Sequence, residues 1–246
     1  MSTPTLDRAL HYGDGVFETL RAVDGRAPLF DLHFERLCRG ADYLGLKKPA
    51  ASAMRQRIAR THGEVIVKLI YSAGSGERGY ARGTAAPIWR RFVSPYQAGV
   101  ERLRVKTCVL KLAWQPRLAG IKHLNRLEQV LARAELESGW DEGLMFNERG
   151  DVQCGISSNV LLHLDGRWVT PEIVGAGVAG VARRWLIESG AVTERRVGRQ
   201  DLVRCVALGM CNALHGPRAL VVLDDRAIPE HADIVRWRQQ WTALFA

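Results

Sequence analysis

The chain has 246 residues, 47% of them hydrophobic and 25% charged, which suits one large domain or two modest ones and excludes a disordered chain. Its formal charge is +9, yet the basic residues are spread out and the 7% of aromatic residues are not interleaved with arginine, so a solvated basic surface is the first reading, a small anionic substrate the second and nucleic acid a distant third. No apolar run spans a membrane, Met1-Ser2-Thr3-Pro4 has no signal core, and five scattered cysteines without CxxC spacing exclude a disulfide framework and a zinc site; a cytoplasmic, metal-free protein with reduced thiols is expected.

In chain order, Val16 to Val23 alternates weakly as a strand and ends at Asp24-Gly25, a hairpin turn signal. Leu29 to Leu44 reads as a helix, with Leu29, Leu32, His33, Leu37 and Leu44 at helical spacing and Gly45 at the stop. Glu64 to Tyr71 is a β run and leads into the glycine-rich loop Ser72 to Tyr80. Turn chemistry from Ser94 to Gly99 marks a boundary between a small lobe, residues 1–97, and a larger one, residues 98–246. The second lobe opens with a strand from Leu103 to Leu112, a loop, and an amphipathic helix with Leu124, Leu127, Val130/Leu131 and Ala134 on one face. Short strands follow around Leu144–Phe146, Asn159–Leu164 and Arg167–Val169, then a helix from near Gly180 and a strand from Val206 to Cys211. The class is α+β in two unequal lobes.

Lysine is scarce: Lys47, Lys48, Lys68, Lys106, Lys111 and Lys122 are the six. A lysine that condenses with an aldehyde needs a partly desolvated amine. Lys47 and Lys48 lie in a polar turn, and Lys106 and Lys111 lie on a strand that can point either outward. Lys68, which interrupts an apolar strand, and Lys122, between a glycine-containing loop and a helix start, remain open; a surface lysine near a helix start is the ordinary alternative.

The run Leu118-Ala119-Gly120-Ile121-Lys122-His123-Leu124-Asn125-Arg126-Leu127-Glu128-Gln129-Val130-Leu131 resembles the Schiff-base lysine segment of aminodeoxychorismate lyases. These are fold-type IV pyridoxal-phosphate enzymes, akin to the D-amino-acid and branched-chain aminotransferases. Other segments resemble the family in order: Asp7 to Glu18, the helix His33-Phe34-Glu35-Arg36-Leu37, the loop Ser75 to Tyr80, the turn Gly177 to Arg184, and Cys211-Asn212-Ala213-Leu214. The resemblance implies a small N-terminal α/β lobe and a larger C-terminal β-barrel-like lobe with helices. The second lobe would carry pyridoxal 5′-phosphate on Lys122, in a homodimer.

By the same resemblance Arg36, Ser157, Asn212 and the backbone amides of Val181 and Ala182 contact the cofactor, and Arg78 and Thr19 contact substrate. The physics agrees for two of these. Glycines let the backbone approach an anion at a helix N-terminus, and a guanidinium is a bidentate phosphate donor. The implied reaction converts 4-amino-4-deoxychorismate to 4-aminobenzoate and pyruvate for folate synthesis. An aminotransferase or a weakly active or noncatalytic relative is the alternative.

Two departures stand out. In Val152-Gln153-Cys154-Gly155-Ile156-Ser157-Ser158-Asn159, Cys154 occupies the place where the family carries a glutamate facing the pyridine nitrogen. A neutral thiol cannot hold a proton on that nitrogen, so a weaker electron sink, a neighbouring acid, or loss of activity follows. The chain also begins close to Asp7, where the family has a preceding hairpin, so an edge strand of the small lobe is expected to be missing.

Overall fold

The computed structural model describes residues 6–246 apart from Glu77. Two units emerge: Met1–Tyr96 with Ile121–Asn125, and Gln97–Gly120 with Arg126–Ala246. The break falls one residue before the expected 97/98 division, and residues 121–125 group outside the larger lobe. The segment holding Lys122 groups with the first unit, because His123 bridges Val16 and the amide of Phe17 donates to the carbonyl of Lys122 at 2.9 Å.

The first unit contains β1 (Leu6–Asp7), α1 (Arg8–Tyr12), β2 (Gly15–Val23), α2 (Phe30–Tyr43), α3 (Ala51–Ala59), β3 (Glu64–Ser72), β4 (Ser75–Gly76) and β5 (Ile88–Pro95). The three longer strands form an antiparallel sheet in the order β2-β3-β5. Val16, Leu20 and Ala22 point to one face of β2, where they meet Phe30, Leu37 and Ala41 of α2 and Met54 and Ile58 of α3 in a single core. Phe17, Thr19 and Arg21 point to the other face and are half-buried. The Asp24-Gly25 signal forms a turn with both residues at positive φ, 44° and 78°, but the chain leaves for α2 after one bridge from Val23 to Arg26. Helix α2 ends as its spacing predicts, with Gly45 at φ 68°.

Arg8 fixes the glycine-rich loop of this unit. Its Nε donates to Asp14 at 2.9 Å, and its two Nη atoms donate to the carbonyls of Gly79, Tyr80 and Ala81. Asp14 also accepts from Arg82. Burial alone would raise the Asp14 pKa, but the hydrogen bonds and charges of Arg82 and Arg8 hold it below the usual carboxylate value.

The second unit contains β6 (Arg102–Leu112), α4 (Leu127–Ala134), β7 (Glu142–Asn147), β8 (Val152–Gly155), β9 (Asn159–Leu164) and β10 (Arg167–Pro171). It continues with α5 (Val181–Glu188), β11 (Thr193–Arg195), α6 (Arg199–Arg204), β12 (Ala207–Asn212), β13 (Gly216–Leu223), β14 (Arg226–Ala227) and α7 (Ala232–Ala243). One mixed sheet runs β11-β10-β9-β12-β13-β6-β7-β8, with β14 on β13. Its end strand β8 turns directly into β9, third from the other end, through a loop in which Gly155 N donates to Ser158 O at 2.7 Å. A flat sheet cannot make that connection, so the sheet curls, and Leu103, Leu144, Val160, Leu162, Leu208 and Leu220 fill one core cluster.

Helix α4 departs from its pattern. It starts at Leu127, so Lys122 lies in extended chain five residues earlier rather than at the helix start. Its apolar positions are largely uncovered: Leu127 is 69% exposed, Val130 62% and Leu131 51%, and only Ala132 is buried. All five cysteines are free thiols. Among the described residues no helix is long and apolar enough to cross a membrane, and no cluster of acidic, histidine or cysteine side chains has metal-binding geometry.

Candidate active site

In the first unit the candidate residues gather on and beside β2. The Lys122 ammonium lies 4.3 Å from the centroid of the Phe17 ring. The segment carrying it is anchored on both sides, by the Phe17–Lys122 backbone bond and by Leu124 N donating to Gly15 O at 3.0 Å. Thr19 follows Phe17 on the same face of the strand and stands opposite Lys68.

Glu18, between them, faces the core and is fully buried. Its carboxylate accepts from Arg36 Nε at 2.8 Å, Arg36 Nη2 at 2.5 Å and His33 Nδ1 at 2.6 Å. An ionised carboxylate only accepts, so the proton of that last bond sits on His33 Nδ1. Burial would raise the Glu18 pKa, but the Arg36 charge and hydrogen bond, then those of His33, bring it down to about 2. His33 is pushed below its ordinary value by burial, partly opposed by Glu18; the Arg36 and Lys122 charges push it the same way as burial.

Arg36 is thus a buried arginine held edge-on by a carboxylate, not a solvent-facing helical one. Arg78 is exposed in the loop that Arg8 clamps.

In the second unit a connected polar cluster surrounds the β8–β9 turn. Ser157 Oγ donates to Glu142 Oε2 at 2.6 Å, and Ser158 Oγ donates to the same oxygen at 2.9 Å. The Ser157 amide points at both carboxylate oxygens at 3.3 Å. Asn212 donates to Ser158 Oγ at 3.4 Å, while its own oxygen accepts from the amides of Leu214 and His215. Asn159 donates to Val178 O at 2.9 Å. The turn leading to α5 is tied to Gly120, whose amide donates to Gly177 O at 3.0 Å and whose carbonyl accepts from Ala179.

This turn fits an anion. Gly177 sits at φ 83°, and a Cβ added to Gly180 would lie 1.9 Å from Asn159 Oδ1, so only glycine allows that approach. Helix α5 then begins with Val181 and Ala182, whose amides belong to the first turn that an α-helix leaves without internal partners.

Cys154 fits less well. It is buried on β8 beside Cys108 and Met145, and its thiol is pushed up to about 12, first by burial and then by the charge of Glu142, against the pull of Arg126. It is neutral at any physiological pH. Glu142 does not take its place. Strand alternation sets the two on opposite faces, since Cys154 pairs with Met145 and Gly155 with Leu144, and the Glu142 oxygens are occupied by the two serines.

The structure adds Glu18, His33, Phe17 and Glu142 to the residues picked out from sequence. One signal was available for Glu18: an acid between Val16 and Leu20 on the apolar face of a strand needs a buried base, and His33 and Arg36 share one face of α2.

The Amino-transferase class IV family matches residues 15–220. The chain belongs to that family. Within it, the aminodeoxychorismate lyase of Vibrio harveyi is 31% identical over 234 residues, covering 87% of this chain and 84% of the relative. The crystal structure of 4-amino-4-deoxychorismate lyase from Pseudomonas aeruginosa superposes with a TM-score of 0.91 at 37% identity, covering 99% of this chain and 95% of that one. The pyridoxal-phosphate-bound form of a hypothetical aminotransferase from Mycobacterium tuberculosis shares the fold, with a TM-score of 0.80 at 24% identity over 100% of this chain and 94% of that one. The α+β, fold-type IV class expected from the sequence is the class of these structures.

Proposed function

We propose that this class IV chain is a pyridoxal-phosphate-dependent lyase that converts 4-amino-4-deoxychorismate to 4-aminobenzoate and pyruvate in folate synthesis. The observation that carries the reading is Lys122, an amine anchored against Phe17 in a segment that resembles the lyases residue by residue. Arg36 and the amides of Val181 and Ala182 suit the phosphate, Ser157 and Asn212 shape the turns beside that cradle, and Arg78 and Thr19 serve the substrate. The bound cofactor supplies an aldehyde that captures the substrate amine and a ring that accepts electrons.

Lys122 does the proton work. Its Nζ removes the proton from the amine-bearing carbon as general base. The carbon–oxygen bond to the enolpyruvyl group breaks, the six-membered ring becomes aromatic, and Lys122 returns a proton to the departing fragment, which leaves as pyruvate. The Phe17 ring covers the amine and limits its hydration.

Cys154 does not suit the role of an acid partner for the ring nitrogen, because its thiol stays neutral. A lyase tolerates this better than an aminotransferase does. Aromatisation of the product provides driving force that a reversible amino transfer lacks, so the departure favours the lyase.

The uncovered face of α4 supports a homodimer, since Leu127, Val130 and Leu131 together leave an apolar strip in water. We place the protein in the cytoplasm, with reduced thiols. Supplying aminodeoxychorismate to the cofactor-loaded protein and measuring 4-aminobenzoate tests the activity. Pyruvate formed from D-alanine and 2-oxoglutarate, without 4-aminobenzoate from the first substrate, would favour the aminotransferase instead.

A further inference from the structure

The second unit holds a cavity of about 230 Å³ that plays no part in the proposed reaction. Its walls come from Trp114, the β7–β8 turn, the end of β10 and the chain at Arg196 and Val197. Gln153 lies between it and the turn that leads to α5: the side chain lines the cavity, and a Cβ added to Gly177 would lie 3.3 Å from its Nε2. Two amides close the floor. Asn147 Nδ2 donates to Gln153 Oε1, and Gln153 Nε2 donates to the Glu172 carbonyl, both at 3.2 Å.

Four charged side chains line this cavity: Arg149, Asp151, Glu172 and Arg196. Arg196 and Asp151 pair with each other at 2.9 Å. Arg149 and Glu172 do not pair. Their hydrogen bonds are made by the backbone, Arg149 N to Asn147 Oδ1 and Glu172 N to Arg195 O, and among the described residues neither the guanidinium nor the carboxylate has a counter-charge. The guanidinium lies 3.6 Å from the centroid of the Trp114 ring, a stack that orients it and leaves its N–H donors unengaged by the protein. The indole is itself fixed, since Trp114 N donates to Glu148 at 3.2 Å and a Cβ on Gly175 would stand 2.3 Å from the ring. Glu172 is half-buried, so its carboxylate is less hydrated than a surface acid.

We propose that this cavity binds a small zwitterion, with its carboxylate on Arg149, its protonated amine on Glu172 and a short apolar stem between them against Val152 and Val197. A simple anion or cation would satisfy one of the two side chains and leave the other without a partner, whereas a zwitterion supplies both counter-charges at once. The volume is below the roughly 300–1,000 Å³ of pockets for drug-sized ligands, which limits the ligand to about the size of an amino acid. No group in this cavity takes part in the amine chemistry at Lys122, so the proposal goes beyond the lyase reading and does not depend on it.

The test is calorimetric titration of the cofactor-loaded protein, first treated with borohydride so that no amine can react with the cofactor aldehyde. The probes are glycine, β-alanine, 4-aminobutyrate and 6-aminohexanoate, with butyrate and butylamine as single-charge controls. At least one member of the zwitterion series should bind about tenfold or more tightly than either control. Arg149→Met and Glu172→Gln should each weaken that binding by about tenfold or more, and both variants should still load cofactor. Failure of the whole series to bind, or binding of a control as tight as that of the best zwitterion, would overturn the proposal. So would an effect in only one variant, which would make this a site for a single charge. Loss of cofactor loading in either variant would also overturn it, because the cavity would then belong to the catalytic site. If the wild type makes no 4-aminobenzoate but the zwitterion still binds through both side chains, the lyase reading fails and this one stands.

Discussion

Replacing Glu18 with glutamine removes the buried carboxylate that pairs with Arg36 and His33 inside the first unit. The wild-type carboxyl falls from its ordinary 4.5 to about 2 on folding. At 1.36 kcal/mol per pKa unit, that shift stabilises the folded state by about 3 kcal/mol. The sign follows from a depressed folded pKa: the contribution is fully present above pH 4.5 and disappears as pH falls toward 2.

His33 acts in the same direction at higher pH. Its folded pKa lies below 6.5, so the unfolded chain takes up a proton first as pH drops through that value. Glu18→Gln takes the charge off one partner of a buried ion pair, a change that typically costs about 3–5 kcal/mol. Urea unfolding of both proteins between pH 7 and pH 3 reads both effects. The variant should be less stable at pH 7 and should lose less stability between pH 5 and pH 3 than the wild type. Cofactor affinity should fall with it, because Glu18 is what orients Arg36. Equal stability and equal acid slopes in the two proteins would refute this account of the buried triad.

Other substitutions probe the rest of the site. Cys154→Glu should change lyase turnover by less than about tenfold if aromatisation makes a strong electron sink unnecessary; a rise of several orders of magnitude in a turnover assay would contradict that. In the native wild type, Cys154 should resist alkylation by iodoacetamide at pH 8, since its thiol is buried and titrates near 12. Gly180→Ala forces a Cβ against Asn159 and should weaken cofactor binding, read by equilibrium titration, by about tenfold, with secondary structure by circular dichroism unchanged. Arg8→Gln should free the carbonyls of Gly79, Tyr80 and Ala81, so amide hydrogen exchange around that loop should accelerate while the second unit is unaffected.

Much of the fold was legible because burial imposes a period. Of the residues read as one face of helix α2, His33 and Leu37 are buried while Leu29, Leu32 and Leu44 are half-buried, and the glycine stop holds. The strands read at Leu103–Leu112, Leu144–Phe146, Asn159–Leu164, Arg167–Val169 and Val206–Cys211 lie within two residues of the observed ones, whereas β8 and β11 had no such signal. Periodicity reports a face, not what covers it. Helix α4 has a regular apolar stripe that, in a single chain, meets water.

Long-range pairing was equally invisible. Nothing near Lys122 in sequence shows that residues 121–125 lie along β2, because that contact comes from a bridge between positions more than 100 residues apart. The partners of Arg36 and Glu142 were hidden for the same reason. A charged residue on a helix or strand reads as solvated until its partner is found, and here the partners are Glu18 and the serines of the β8–β9 turn. Cys154 was the reverse case, where one residue type in a recognisable segment exposed a chemical departure, and its burial then fixed the thiol as neutral.

The central claim is that Lys122, and not Lys68 beside the same Phe17 ring, binds the cofactor aldehyde. Borohydride reduction of the cofactor-loaded protein, followed by peptide mass mapping, tests it directly. The account predicts a pyridoxyl-phosphate adduct on the peptide containing Lys122 and none in Lys122→Ala. An adduct on Lys68, or a coloured protein that yields no adduct at Lys122, would contradict it.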